Sequence, residues 1–240
     1  MAAMTEKTAG PGPVRLSVVI PTVGSEPSLA ACLAGLRAAP AWTEETEIIV
    51  AAAGETGATA PTAAAAGARV LTTERGRGLQ LGTGARAARG EWLLFVHADT
   101  VLEPGWAEEA RAFMAKPGNR ERAGAFHLTL DDPAAAARRL ETLVAWRCRV
   151  LALPYGDQGL LISRHFYDRL GGFPHLPLME DVALVRRIGR ARLHFFQTAA
   201  LTSAARYRHA GYVWRSARNL GCLALYFLGV PPRLIAQLYG

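Results

Sequence analysis

Three short segments of this chain carry side chains able to do chemistry, and each adjoins an apolar run. His97-Ala98-Asp99-Thr100 follows Trp92 to Val96 (WLLFV), the most apolar strand-like stretch. A carboxylate leaving a buried strand can hold Mg2+ or Mn2+, and such an ion can bridge the phosphates of a nucleotide diphosphate leaving group. His97 lies two residues before Asp99, so in extended chain both side chains point the same way. Imidazole suits Mn2+ and is a poor ligand for Mg2+. The purely structural alternative is that Asp99 makes a local turn or caps a helix beginning near Pro104.

Glu180-Asp181 opens an apolar helical pattern, where the positive end of the helix dipole favours carboxylates. One of them can act as a general base, because an acceptor hydroxyl attacks poorly until its proton is taken. The apolar FPHLPLM segment just before the pair would raise such a carboxylate's pKa. The alternative is plain N-terminal capping. In Gly156-Asp157-Gln158-Gly159 the glycines permit close backbone approach to a ligand. Asp157 and Gln158 are then candidates to hydrogen-bond sugar hydroxyls, the alternative being an ordinary turn.

The elements that must position these groups alternate along the chain. Leu16 to Ile20, Glu47 to Ala51, Arg69 to Thr72 and Trp92 to Val96 are short, β-rich apolar runs. Between them lie helical patterns at Ser28 to Ala39, with Ser28 as N-cap, and within GRGLQLGTGARAARG. Alternation of this kind predicts an α/β fold with a parallel sheet whose ligands bind at the C-terminal strand ends. Further on, Ala123 to Leu130 reads as a strand. Pro133 to Leu153 reads as a long helix with Leu140, Leu143, Val144 and Val150 on its apolar face. A short strand, Leu160 to Ser163, follows the Gly-Asp-Gln-Gly segment.

Composition sets wider bounds. With 240 residues, half of them hydrophobic, the chain can bury a substantial core. Its net charge of +7 suits an anionic partner such as a nucleotide or a membrane surface. The basic residues are scattered and match no nucleic-acid-binding motif, so no nucleic-acid partner is expected. Cys32, Cys148 and Cys222 lie far apart, without zinc-site spacing, as in a reduced cytoplasmic protein. The organisation expected is a disordered lead-in at 1–14, one domain at 15–210, and an amphipathic helical tail at 211–240. The lead-in lacks a signal-peptide core, and no run reaches the ~20 apolar residues of a membrane span.

Taken in order, LSVVIPT, EIIV, GRGLQLGTGARAARGEWLLFVHADT, GAF, YGDQG and FYDRLGGFPHLPLMEDVALVRR resemble family-2 glycosyltransferases of the GT-A fold. The match is to a small bacterial subgroup whose metal motif reads HAD where most of the family has DXD. It runs from about Leu16 to Tyr239. The resemblance implies a mainly parallel central sheet flanked by helices, with C-terminal helices. It also implies inverting transfer of a sugar from a nucleotide-sugar donor, without a covalent intermediate, aided by Mn2+ or Mg2+. Asp99 falls on the last residue of the metal motif and His97 on its first. Asp181 falls on the catalytic base, with Glu180 as companion. Pro21 and Thr22 match the loop beside the nucleotide. Arg75, Arg77 and Gln80 belong to the segment that closes over the donor, while Arg206 and Tyr207 fall in a TSARRY-like stretch and are candidates to bind the acceptor or sugar.

Three positions depart from the pattern. Ala52 replaces the acidic residue that reads the base, leaving Glu55 as substitute or base recognition weakened. Gly82 replaces an Asn, and Ala205 one of two paired arginines. They motivate a second reading, a nucleotide-sugar-binding protein that no longer catalyses, against which intact Asp99 and Asp181 stand. The tail from Tyr212 to Tyr239 is arginine-bearing and apolar. It packs on the sheet, or it serves a lipophilic acceptor, carotenoid-type or other, and peripheral contact with the inner face of the cell membrane.

Overall fold

The computed structural model describes residues 14–24, 27–39, 45–54 and 57–239. Apart from Val14, the expected lead-in lies outside them, as does Glu55. The first strands are β1 (Leu16–Val23), β2 (Thr46–Ala53), β3 (Arg69–Thr73) and β4 (Trp92–Phe95). Between them run α1 (Leu29–Arg37), α2 (Thr59–Ala65) and α3 (Arg77–Ala87). β1 pairs in parallel with β2 and β4, and β2 with β3, as the alternation predicts. Helix α1 forms where its leucine spacing places it, but the Ser28 side chain does not cap it, because Ser28 itself has helical backbone angles.

Beyond β4 the sheet is mixed. The elements are β5 (Thr100–Leu102), α4 (Trp106–Met114), β6 (Ala123–Leu130), α5 (Ala135–Leu151), β7 (Leu160–Ser163), α6 (Arg164–Arg169), α7 (Glu180–Ile188) and β8 (Leu193–Thr202). The sheet order is β3-β2-β1-β4-β7-β6-β8-β5. β7 runs antiparallel to β4 and β6, β8 is parallel to β6, and β5 closes the edge antiparallel to β8. The chain ends in α8 (Ala205–Ala210), α9 (Tyr212–Phe227) and α10 (Pro232–Tyr239).

Strand residues alternate between two cores, following the period of two in extended chain. Leu16, Val18 and Ile20 of β1, with Trp92 and Leu94 of β4, meet α1, α2 and α4. Val19, Leu93 and Phe95 face the other way, toward α3, α6, α7, α9 and α10. Helix α5 packs on β6 through Ala137, Leu140, Val144 and Cys148. The expected apolar face of that helix is therefore corrected. Leu143 and Val150 fall off the i, i+3, i+7, i+11 stripe and are exposed.

Candidate active site

A cleft of about 600 Å3 opens at the C-terminal ends of β1 and β4, a size typical of small-ligand sites. Its walls include Pro21 and Thr22 from β1, Arg75 and Arg77 around the start of α3, and His97 and Asp99 after β4. Asp157, Glu180, Asp181, Arg206 and Tyr207 complete the set brought together from distant sequence.

Asp99 does not cap a helix, since β5 begins at the next residue. Its loop is held by β8: Ser203 N–H donates to the Asp99 carbonyl at 3.0 Å. The Thr202 hydroxyl donates to the Asp157 carbonyl at 3.1 Å and lies 2.9 Å from the Thr100 hydroxyl. The end of one strand thus fixes two cleft loops. His97 carries a buried Nε2 with no hydrogen-bond partner. Burial pushes its pKa well below the ordinary value, helped by Arg77 and Arg206, so the ring is neutral. A neutral imidazole with an unengaged nitrogen, lining the same cleft as the Asp99 carboxylate, suits a divalent cation. Among the described residues no group of three or more His, Cys, Asp or Glu side chains is arranged to hold a metal. Substrate oxygens would have to complete the coordination, as is usual where phosphates share the ion.

Helix α7 enters through Met179, a non-glycine residue in the left-handed region (φ 67°). Such a conformation costs roughly 1–3 kcal/mol and is kept where surrounding structure enforces it. The consequence is that Glu180 and Asp181 both meet the cleft. Asp181 is anchored twice: Oδ2 accepts from Gly156 N–H at 2.9 Å and Oδ1 from Val182 N–H at 2.7 Å. Glu180 is buried, and its Oε1 has no hydrogen-bond partner. Its closest ion-pair contact is Arg77 Nε at 3.9 Å. Burial, then the charge of Asp181, pushes Glu180 up to about 7, with Arg77 opposing. Desolvation works against the charge of Arg77, but Glu180, Asp181 and Asp99 outweigh it and raise its pKa.

Two glycines make these approaches feasible. A Cβ on Gly156 would sit 2.6 Å from His97 Nε2, and one on Gly78 2.5 Å from the Pro174 carbonyl. The first lets the Gly156 turn reach both His97 and Asp181. The second lets α3 press against the loop leading into α7.

The Gly-Asp-Gln-Gly segment divides its labour. Asp157 lines the cleft with a buried, unpartnered Oδ1. Burial pushes its pKa up to about 6, against the pull of Arg147. Gln158 does not line the cleft, which corrects its expected place at a sugar. Its Nε2 donates to the Phe126 carbonyl, and its Oε1 accepts from Arg147, the Cys148 thiol and Tyr155 N–H. Gln80 borders the cleft, but its amide nitrogen is spent on the Thr22 and Ala51 carbonyls, tying β1 to β2.

Tyr155, Arg215, Asn219 and Tyr239 also line the cleft and escaped the sequence reading. Arg215 donates to the Tyr239 hydroxyl at 3.3 Å and stacks over Tyr207, 5.3 Å from the ring centre. The available signal was two polar residues interrupting an apolar helix at positions 215 and 219, an i, i+4 spacing on one face.

A β-sheet of this order, with its cleft at the carboxyl ends of β1 and β4, defines a GT-A type glycosyltransferase fold. Residues 17–159 match the model of glycosyl transferase family 2, more than half of the chain. The chain belongs to that family. No curated protein sequence matches it significantly. Among solved structures, TarS of S. aureus is similar at 15% identity and a TM-score of 0.63, over 88% of this chain and 40% of TarS. Its 1–349 segment in complex with UDP-GlcNAc aligns over 79% of this chain and 58% of that one. Glucosyl-3-phosphoglycerate synthase from Mycobacterium tuberculosis, in complex with Mn2+, UDP and glucosyl-3-phosphoglycerate, shares 19% identity at a TM-score of 0.60. That alignment covers 91% of this chain and 81% of the synthase. The mannosyltransferase PcManGT from Pyrobaculum calidifontis, in complex with GDP-Man and Mn2+, gives 19% and 0.56, over 79% and 57%. The chain thus spans well under two thirds of TarS and of PcManGT.

Proposed function

We propose that this chain transfers a sugar from a nucleoside-diphosphate sugar to an acceptor hydroxyl, with inversion and with a divalent cation, Mn2+ or Mg2+. The observation that carries this reading is the meeting of Asp99, neutral His97 and doubly anchored Asp181 in one cleft. Solved structures of the same fold in complex with UDP-GlcNAc, GDP-Man and Mn2+ support it. Asp99 and His97 would hold the cation, whose chemistry is to neutralise the diphosphate leaving group. Arg77 adds positive charge from the protein on the donor side, Arg75, at the cleft edge, is a further donor contact, and Arg206 serves the sugar or acceptor. Pro21 and Thr22 border the nucleotide.

Asp181 acts as the base. The acceptor oxygen attacks the anomeric carbon as the bond from that carbon to the diphosphate breaks, and the hydroxyl proton passes to Asp181. One displacement without a covalent intermediate inverts the anomeric centre. Glu180 holds Arg77 and bears on the acceptor. Asp157 and Tyr207 serve the sugar or acceptor, and we assign the acceptor as lipid-like. Release of nucleoside diphosphate with Mn2+, and NMR of the product anomer, test the reading. Donor binding without turnover under any acceptor would instead favour a binding protein; retention of configuration would sink the single displacement.

A further inference from the structure

Helix α9 is built inside out. In an ordinary surface helix the polar face meets water and the apolar face meets the core. Here the side toward the cleft carries Arg215 and Asn219. The outward side presents Val213, Trp214, Ala217, Leu220, Ala224 and Phe227, all exposed. Trp214 is 70% exposed and Leu220 65%. Neighbouring α5 adds exposed Leu143, Trp146 and Val150, so the two exposed tryptophans among the described residues share this region. A contiguous apolar face of this kind marks an interaction surface.

Charge identifies the occupant. After Asp181 the sequence contains no Asp or Glu, but nine arginines. Arg139 and Arg149 on α5 and Arg233 on α10, the two helices that contact α9, are exposed. Asp131 and Asp132, just before α5, are engaged by Arg208 and Tyr212. A second copy docked face to face would set these arginines against each other, whereas anionic lipid complements them. Among the described residues no helix is long and apolar enough to cross a membrane. The 16 residues of α9 span roughly 24 Å, short of the ~30 Å hydrocarbon core, so the helix would lie on the surface.

We infer that the outer face of α9, with α5 and α10, docks on an anionic bilayer, and that its inner face then holds the acceptor end of the cleft at the lipid boundary. The docking stands on surface chemistry alone; the acceptor clause rests on the glycosyltransferase reading. The test is co-sedimentation of the full chain with phosphatidylcholine vesicles with and without phosphatidylglycerol, following tryptophan emission. Binding to the anionic vesicles with a blue shift is expected. The double variant W214S/L220S should lower partitioning at least roughly tenfold, by loss of buried apolar area, while thermal stabilisation by nucleoside diphosphate stays unchanged. Absence of binding at low salt would overturn the docking, as would a concentration-dependent dimer that the same substitutions dissociate. Failure of nucleoside diphosphates to stabilise the wild-type chain would instead strike the glycosyltransferase reading and leave the docking result standing.

Discussion

Helices α7 and α9 border the same cleft but are built in opposite ways. Helix α7 buries Val182, Leu184, Val185 and Ile188 and offers carboxylates from its first turn. Helix α9 turns polar side chains to the cleft and leaves most of its apolar side exposed, burying only Cys222 and Leu223. Hydrophobic periodicity announces a helix in both cases. It does not say whether the apolar stripe faces protein, because what lies opposite the stripe is decided by tertiary contacts and by partners.

The sharpest way to break this contrast is at the first turn of α7. Asp181→Asn should lower kcat and kcat/KM together by 10²- to 10⁴-fold, the usual range for a general base, with donor affinity little changed. Glu180→Gln should cost less. Single-turnover transfer with saturating donor ranks the two. A dead Glu180→Gln enzyme beside a near-normal Asp181→Asn enzyme would reverse the roles, and near-normal rates in both would reduce the pair to a helix cap.

Next in size comes a packing comparison within α9. Leu223→Ala should cost roughly 2–5 kcal/mol, because Leu223 is buried in the core shared with α7. Leu220→Ala, three residues away and exposed, should stay within about 0.5 kcal/mol. Urea unfolding of both variants measures the difference. Equal losses would mean that the outer face is covered within the protein itself.

Gly156→Ala should destabilise by about 1–3 kcal/mol, since its Cβ would collide with His97 Nε2. The collision displaces either the ring or the turn whose N–H holds Asp181, so transfer should fall more than stability. A variant with full stability and full rate would show that the Gly156 turn is not a constraint on the site.

The smallest expected effect is on pH dependence. The folded-state pKa of Glu180 is raised, from 4.5 to about 7. The folded protein therefore keeps a proton that the unfolded chain gives up, and stability is lost as pH rises from 4.5 through 7. Glu180→Gln removes that loss. Its Tm should exceed that of wild type above about pH 7, by roughly 2–4 °C per kcal/mol, and the advantage should vanish toward pH 4.5. An unchanged pH profile would mean that Glu180 is solvated in solution.

Much of the parallel half was legible because β1, β2 and β4 are continuous apolar runs, buried on both faces. β8 was not. Its sequence, LHFFQTAALT, alternates poorly, because its far end braces two loops through Thr202 and the following Ser203 rather than simply filling a core. β5 has three residues, too few for a period. At the site, the convergence of His97, Asp99, Glu180 and Asp181 on one cleft was legible from chemistry and order. Gln158 misled because its amide meets internal partners 10 to 32 residues away as well as its own turn. Arg215, Asn219 and Tyr239 were missed because a mostly apolar tail reads as packing.

Asp99 and His97 are proposed to form a cation-assisted diphosphate site. Thermal unfolding with UDP or GDP, with and without Mn2+, on wild type and Asp99→Asn tests it most directly. A nucleotide at 100 times its Kd should add about 2.7 kcal/mol of stability. That gain is expected for at least one nucleotide with wild type, greater with Mn2+ than without, and the Mn2+-dependent part should be lost in folded Asp99→Asn. Stabilisation that ignores Mn2+, or that Asp99→Asn retains in full, would contradict it.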